Sequence, residues 1–331
     1  MEDLRNTLTE NAAFYRDQER KITARLALLP KGHIRSKAIG GSAYFYLQYR
    51  KGRFVKSDYI GRTVSTDLRD RLAERARLEK ELLAVRGALR LLRSRRKEDV
   101  DLTEPILAIL RAMTRHRLWE SGFEIIGSWC FLLYQQHLPM ERYPLKTEDL
   151  DILVPRPFKG RAFDLPGMMQ RLGFSQQFNA DGSMYFTGNR MKVEFVTRER
   201  RDGTHPPRPV KEIALTPQEL RHVDILLADP IVLRLGQGIR AKVPSPSAFL
   251  LHKLFLAARS ERRDKAEKDI KQAVYTGRYA LADKPETARL LALWEGLPKK
   301  WRSLVGRSLA RARDMMPLEQ GIIERLMDLL R

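Results

Sequence analysis

Apolar residues recur at helical spacing through residues 3–29, where Leu4, Leu8, Phe14, Ile22, Leu26 and Leu29 mark a stripe that ends at Pro30-Lys31-Gly32. The period then drops to two. Residues 43–50 and 54–61 alternate aromatic or β-branched with polar side chains around Lys51-Gly52-Arg53, which predicts a β-hairpin. One face would carry Tyr44, Tyr46, Gln48 and Arg50, and the other Phe45, Leu47 and Tyr49. Helical spacing returns over 66–98, with Thr66 or Asp67 as cap and Leu68, Leu72, Leu78, Leu82, Val85, Leu89 and Leu92 as the stripe. The length of this helix and its i,i+4 charge pairs predict an antiparallel helical hairpin with 3–29; coiled-coil dimerisation is the alternative. Glu98-Asp99-Val100-Asp101 reads as a boundary.

Beyond it the pattern mixes both periods. A helix is expected over 103–119, a short strand over 123–126, a turn at Gly127-Ser128, a helix over 129–134 and a strand over 147–154. Pro155-Arg156-Pro157 breaks the chain. A helix over 161–172 ended by Gly173, strands over 174–178, 183–187 and 190–197, and three strand-like runs within 219–243 follow. Gly236-x-Gly238 lacks the rest of a dinucleotide fingerprint and reads as a hairpin turn. Residues 243–247 cap a helix over 248–259, and 286–331 is helical, with Trp294 and Trp301 as core anchors. The predicted fold class is α+β: a small mixed sheet at 101–245, an N-terminal arm at 1–100 and a C-terminal helical domain at 246–331.

A chain of 331 residues is long for one core and suggests two or three domains. No run of about eighteen apolar residues exists, so no membrane span is expected, and the N-terminus lacks the pattern of a signal peptide. The single cysteine, Cys130, has no partner for an internal disulfide and reads as a buried thiol of a cytoplasmic protein. Charge changes the picture more. A net charge of +21 and a pI near 10.2 describe a surface that attracts polyanions, nucleic acid foremost. Residues 1–100 hold 24 Lys and Arg against 13 Asp and Glu, so about half of the excess lies in the arm. There Tyr44, Tyr46, Arg50, Lys51 and Arg53 suit stacking on unpaired bases and pairing with phosphates, and the run containing Arg95 and Arg96 suits a phosphate backbone. The competing readings are aromatics that pack the hairpin and cations that complement a helix C-terminus.

The candidate chemistry centres on Asp149 and Asp151. In a strand they point to one side, and two carboxylates that close repel unless a proton or cation intervenes. A hard divalent cation with oxygen ligands, Mg²⁺, answers that need; two solvated acids on a strand edge is the plainer alternative. Gly127 and Ser128, between a strand and a helix start, form a candidate phosphate site, although Ser128 could simply cap the helix. Glu194 lies on a later strand that could neighbour the Asp149–Asp151 strand. Lys253 is the outlier within a strongly apolar helix and must snorkel or meet a partner. His205 has no second His or Cys at ligand spacing, which argues against zinc.

Gly127-Ser128, a helix, Asp149-x-Asp151 and a later strand acid together resemble the nucleotidyltransferase superfamily, whose best-known member is DNA polymerase β. Within it, residues 120–275 most resemble the bacterial stand-alone nucleotidyltransferases related to abortive-infection and type IV toxin–antitoxin toxins. Twenty residues separate Ser128 from Asp149, a longer spacing than is common in the superfamily, and a loop at 136–144 is expected to absorb the difference. The resemblance implies transfer of a nucleoside monophosphate from an NTP, with two Mg²⁺ ions held by Asp149, Asp151 and Glu194. Glu194 would take the proton of the acceptor hydroxyl, Gly127 and Ser128 would hold the triphosphate, and Lys253 would neutralise the leaving pyrophosphate. The segment 262–270 is similar to the toxins' final motif, which places Asp269 beside Lys253 in lining the nucleotide. RNA is the favoured acceptor, tRNA by analogy, and the same analogy implies an antitoxin partner. A protein hydroxyl or a small molecule such as an aminoglycoside stays open, although a cationic aminoglycoside suits a +21 protein poorly. The rival of another class is a non-enzymatic nucleic-acid-binding protein in which the acids are incidental.

Overall fold

The computed structural model describes residues 2–94, 103–141, 143, 145, 147–200, 206–236, 238–259 and 265–331, with the side chains of 2–12, 90–94 and 103 excepted. Arg95, Arg96 and His205 lie outside the described residues. The chain divides into two compact units, Met1–Asp99 with Met315–Leu318, and Val100–Asp314 with Glu319–Arg331.

In the first unit, helix α1 (Glu2–Ala27) and helix α2 (Thr66–Ser94) run antiparallel, since Arg25 pairs with Glu74 and Arg86 with Glu19. Their seam buries Ile22, Leu26, Leu29, Leu78, Val85 and Leu89. The cap of α2 is Ser65 rather than Thr66 or Asp67, for its hydroxyl accepts the Leu68 N–H at 3.3 Å. Between the helices lies a sheet of three strands where two were expected: β1 (His33–Ile39), β2 (Ser42–Lys51) and β3 (Phe54–Gly61), all antiparallel. The first strand hides in the sequence because Ser36 interrupts the apolar series of Ile34 and Ala38, and Ile39 ends the polar series of His33, Arg35 and Lys37. Gly40 and Gly41 join it to β2 with φ of 58° and 77°, the left-handed pair that a tight hairpin turn requires.

The second unit is organised on a mixed sheet in the order β4-β5-β8-β7-β6, with β9 paired to the far end of β8. Helix α3 (Thr103–Arg115) precedes it and stops short of the expected residue 119, where Arg117 adopts φ 54°. Strand β4 (Glu124–Ile126) leads through Gly127 into helix α4 (Ser128–His137), which takes in two residues expected in the following loop. Strand β5 (Asp149–Leu153) pairs antiparallel with β4. Helix α5 (Leu165–Arg171) starts later than expected because Asp164 caps it, with Pro166 in its first turn. Strands β6 (Ser175–Phe178), β7 (Met184–Gly188) and β8 (Met191–Arg198) return as a meander, so that β8 lies parallel to β5. Strand β9 (Gln218–Leu220) and a separate hairpin of β10 (Ile231–Gly236) and β11 (Ile239–Val243) complete the strands.

Among the described residues the helices that follow are α6 (Pro246–Ala257), α7 (Ala266–Ala282), α8 (Lys284–Gly296), α9 (Lys299–Met315) and α10 (Gln320–Leu329). The strand registers explain the packing. Ile125, Leu150, Ile152, Phe186, Val193 and Phe195 share one buried face. On the other, Ile126, Leu153 and Val196 merge with Leu250, Leu251, Leu254, Ala273, Trp294 and Leu326 of the helices. Among the described residues no helix is long and apolar enough to cross a membrane.

Candidate active site

The helix-covered face of β5 and β8 changes character along its length. At one end it is apolar, at Leu153 and Val196; toward the start of the strands it carries Asp149, Asp151, Lys192 and Glu194. The parallel register sets Asp151 opposite Glu194 and Asp149 opposite Lys192. Paired residues of neighbouring strands, about 4.8 Å apart, point to the same side, so the three carboxylates expected from the sequence share one face. Lys192 stands in their midst. Its Nζ donates to Glu194 Oε1 at 2.6 Å and lies 4.4 Å from the ring centre of Tyr185. Burial pulls this ammonium down, but the bond to Glu194 and the charges of Glu194 and Asp149 outweigh that and leave its pKa raised.

Gly127 closes the site from β4, whose Ile126 is paired with Asp151. Its φ of 71° is a left-handed conformation, and a Cβ built there would stand 2.1 Å from Asp151 Oδ2. Only glycine lets backbone and carboxylate approach so closely. Gly127 itself occupies the cap position of α4, and Ser128 is the first helical residue, with no side-chain cap hydrogen bond. The capping role considered for the Ser128 hydroxyl is therefore not the one it takes. The start of α4 lies against the acid end of the sheet, where a helix N-terminus carries partial positive charge.

Burial and the neighbouring Glu194 push the Asp151 carboxyl up to about 6; Asp149 adds to that, while Lys253 and Lys265 oppose it. Lys253 projects from α6, which starts at a Ser245 cap and buries almost every residue it has. It is 5% exposed, and its Nζ donates to Asp269 Oδ1 of α7 at 2.7 Å. The lone charge in an apolar helix thus meets a buried carboxylate, the partner its position called for. Cys130 is buried, and its thiol donates to the Ile125 carbonyl at 3.1 Å. Burial drives its pKa well above the ordinary thiol range, which suits a packing residue and not a nucleophile.

Lys265 and Lys268 escaped the sequence analysis, and Lys192, which spacing puts on one strand face with Glu194, was given no role there. Burial lowers the pKa of Lys268, with Lys253 and Lys265 pushing the same way and Asp269 and Asp149 opposing. The signal was the spacing of 265, 268 and 269 over one helical turn, which sequence alone cannot tell from a solvated helix start. Lys192 is two residues from Glu194 in a strand, and that spacing alone puts both on one face. Tyr44, Tyr46 and Arg50 lie on one face of β2 in the first unit, Lys51 ends that strand, and Arg53 lies in the turn to β3. A cavity of about 730 Å³ lined by Arg115, His116, Arg117, Lys159 and Arg161 opens elsewhere, beside Gly122 and Pro155 and so beyond the opposite end of β5 from Asp149.

The donor chemistry of the acid cluster, carboxylate oxygens of which those of Glu194 and Asp149 help raise the Asp151 carboxyl, is that of a site for a hard divalent cation. Among the described residues, however, no three His, Cys, Asp or Glu side chains are drawn close enough together to hold a metal ion. Strand pairing sets the acids side by side, and Lys192 holds one oxygen of Glu194.

Residues 104–292, which span all of these acids together with Lys253 and Asp269, match a family model described as nucleotidyltransferase. The chain belongs to this nucleotidyltransferase family. Residues 12–70 match a second model, described as a domain of unknown function. No curated protein matches the nucleotidyltransferase. A solved structure that does is the crystal structure of an antigenic nucleotidyltransferase-like protein from Paracoccidioides brasiliensis, 14% identical with a TM-score of 0.40, over 67% of this chain and 93% of that one.

Proposed function

We propose that this nucleotidyltransferase moves a nucleoside monophosphate from an NTP to a hydroxyl of RNA, with tRNA as the first candidate, in a Mg²⁺-dependent reaction of the cytoplasm. The observation that carries the reading is the register that sets Asp151 opposite Glu194 on parallel strands, under the backbone of Gly127. In the reaction the acceptor oxygen attacks the α-phosphorus, one P–O bond forms, the bond to the β-phosphate oxygen breaks, and pyrophosphate leaves. Glu194, released from Lys192, would take the hydroxyl proton. Asp149, Asp151 and Glu194, once their side chains turn toward one another and Glu194 leaves Lys192, are the residues that would hold two Mg²⁺ ions, and bound Mg²⁺ would supply positive charge to the phosphoryl oxygens. The N–H groups at the start of α4, beside Gly127 and Ser128, suit the triphosphate. Lys253 and Asp269 line the nucleotide side, and Lys253 and Lys265 keep Asp151 ionised near neutrality. The excess of +21 favours a polyanionic acceptor over a cationic small molecule. An antitoxin protein is the partner that the toxin resemblance adds.

The test is incubation of the full chain with each α-labelled NTP, Mg²⁺ and total bacterial RNA. Label in tRNA-sized material that disappears in Asp149→Ala supports both reaction and acceptor. Label on protein alone removes RNA as acceptor. Retarded RNA with no NTP turnover removes the transfer reaction in favour of a binding protein.

A further inference from the structure

The three-stranded sheet of the first unit has two unlike faces. Strand register assigns His33, Arg35, Lys37 and Ile39 of β1, Tyr44, Tyr46, Gln48 and Arg50 of β2, and Val55, Ser57 and Tyr59 of β3 to one of them. Tyr59 lies 5.4 Å from Tyr46 and 6.3 Å from Tyr44, ring centre to ring centre, so the three rings form one cluster. Cations edge it: the Lys37 ammonium sits 5.3 Å from the centre of Tyr46, and the Arg62 guanidinium 5.5 Å from that of Tyr44. The strands place no carboxylate on this face; their one acid, Asp58, lies on the other, hydrogen-bonded to Tyr49.

The rings are also open to solvent. Tyr59 is 57% exposed, and Tyr44 and Tyr46 are half-buried. A two-sided thin sheet gains little from aromatic rings left in water, and cations held above them add a favourable contact without burying anything. What such a face fits is a partner with flat faces and a chain of negative charges. An acidic peptide supplies the charge without a flat face for each ring. Duplex nucleic acid hides its base faces inside the stack. An unpaired strand offers both.

We propose that this sheet face is a platform for single-stranded nucleic acid, with Tyr44, Tyr46 and Tyr59 stacking on consecutive bases and Arg35, Lys37 and Arg62 holding the phosphates between them. The assignment stands on the first unit alone and does not depend on the transfer reaction. It gives the arm a reason for concentrating both tyrosine and positive charge, and it brings in a strand, β1, and a ring, Tyr59, that the paired tyrosines of β2 alone do not reveal.

The experiment is fluorescence anisotropy of the full chain with a labelled unstructured 12-nucleotide RNA, its DNA counterpart and the matching RNA duplex, at several salt concentrations and without NTP or Mg²⁺. The single strands are expected to bind at least ten times more tightly than the duplex, with RNA against DNA resolving which sugar is preferred. Tyr46→Leu and Tyr59→Leu should each weaken binding about tenfold while Tyr46→Phe does not, because a lost base–ring stack is worth one to three kcal/mol. Lys37→Gln should weaken binding and flatten the salt dependence, whereas Lys56→Gln on the opposite face, with the same loss of charge, should change little. Equal affinities for single strand and duplex, or Tyr46→Leu and Tyr59→Leu variants that fold and bind as the parent does, would overturn the proposal; so would tighter binding of polyglutamate than of RNA. Because no nucleotide transfer is measured, failure here leaves the reaction untouched, and failure of the reaction leaves this binding intact.

Discussion

The two sheets of this chain treat charge in opposite ways. In the arm, Arg35, Lys37 and Arg50 sit on exposed strands where water solvates them, and they need no partner in the protein. In the catalytic unit, Asp151, Glu194, Lys253 and Asp269 are withdrawn from water, and each is answered by an opposite charge or carries a shifted pKa. The lesson is that burial, rather than charge itself, makes a residue costly and therefore informative. Substitutions in the withdrawn set should have large effects on stability as well as activity; those in the exposed set should affect only what binds.

The largest effect is expected at Asp151. Asp151→Asn should lower nucleotide transfer by about a thousandfold or more, as loss of a preorganised charge at a reacting phosphoryl group does. The same substitution should stabilise the fold. Folding raises the carboxyl of Asp151 from 3.8 to about 6, so the proton it keeps contributes stability that is complete below about pH 4 and lost as pH rises through about 6. At pH 8 the ionised group costs the native state on the order of 2 kcal/mol, after allowance for its partial exposure. Thermal unfolding of parent and Asp151→Asn should thus nearly coincide at pH 4 and separate by several degrees at pH 8. Added Mg²⁺ should raise the parent's transition at pH 8 and leave the variant's alone. A variant less stable than the parent at pH 8 would break the contrast between the two sheets at its strongest point.

Next comes the pair in the helices. Asp269→Asn leaves Lys253 buried at 5% exposure without the carboxylate it now meets at 2.7 Å. Removing one partner of a buried ion pair costs about 3–5 kcal/mol, while replacing both with apolar groups is far milder. Urea unfolding should show that loss in Asp269→Asn and recovery of most of it in Lys253→Met/Asp269→Leu. Equal instability of the single and double variants would mean that the pair is not held apart from water.

Gly127→Ala ranks third. Its Cβ would meet Asp151 Oδ2 at 2.1 Å, and the φ of 71° is strained for any other residue. A loss of about 1–3 kcal/mol is expected, together with impaired transfer, because the carboxylate must move to make room. Gly182, whose φ is 84° with open space where a Cβ would sit, isolates the backbone part of that loss. Should Gly182→Ala be as damaging to transfer as Gly127→Ala, the close approach to Asp151 is not what matters.

These contrasts also mark what could be read from the chain. Period-two alternation of apolar with polar or charged residues made β5, β7 and β8 legible, and the Gly127 turn and the shared face of Asp149 and Asp151 followed from spacing alone. The expected helices ran long at Arg115 and early at Leu165, because a left-handed residue and an Asp164 cap are tertiary facts with faint local signals. Strand β1 was illegible for the reason that makes it interesting: its cations are exposed, so nothing forces an apolar alternation upon it. The roles of lysines 192, 265 and 268 were hidden in the reverse way. Their chemistry lies in which carboxylates the fold brings near, and that is set by strand register and by the meeting of α6 and α7.

The smallest predicted effect probes the rule inside the arm itself. Arg75 is the exception there, with a side chain only 13% exposed. Its Nη1 donates to the carbonyls of Leu26 and Leu29 at 2.8 and 3.1 Å, satisfying acceptors that the end of α1 leaves open. Nearby, Arg25 reaches Glu74 with a bidentate pair at 2.7 and 3.0 Å, yet its side chain is 47% exposed. Arg75 also pairs with the exposed Glu79 at 2.9 Å, so each arginine has one ion pair with a glutamate, and by ion pairs alone Arg25 should matter as much as Arg75. By burial it should not: an exposed ion pair is worth under about 1 kcal/mol, whereas a charged donor to carbonyls sheltered from water is worth about 1–2. Arg75→Met keeps the aliphatic stem and removes the donors, and Arg25→Met does the same at the exposed position. Urea midpoints should therefore fall more for Arg75→Met, and added salt should narrow the Arg25→Met loss while leaving the other nearly unchanged. Equal losses at both positions would show that charge in the arm is costed by geometry and not by exposure, and the comparison between the two sheets would lose its basis.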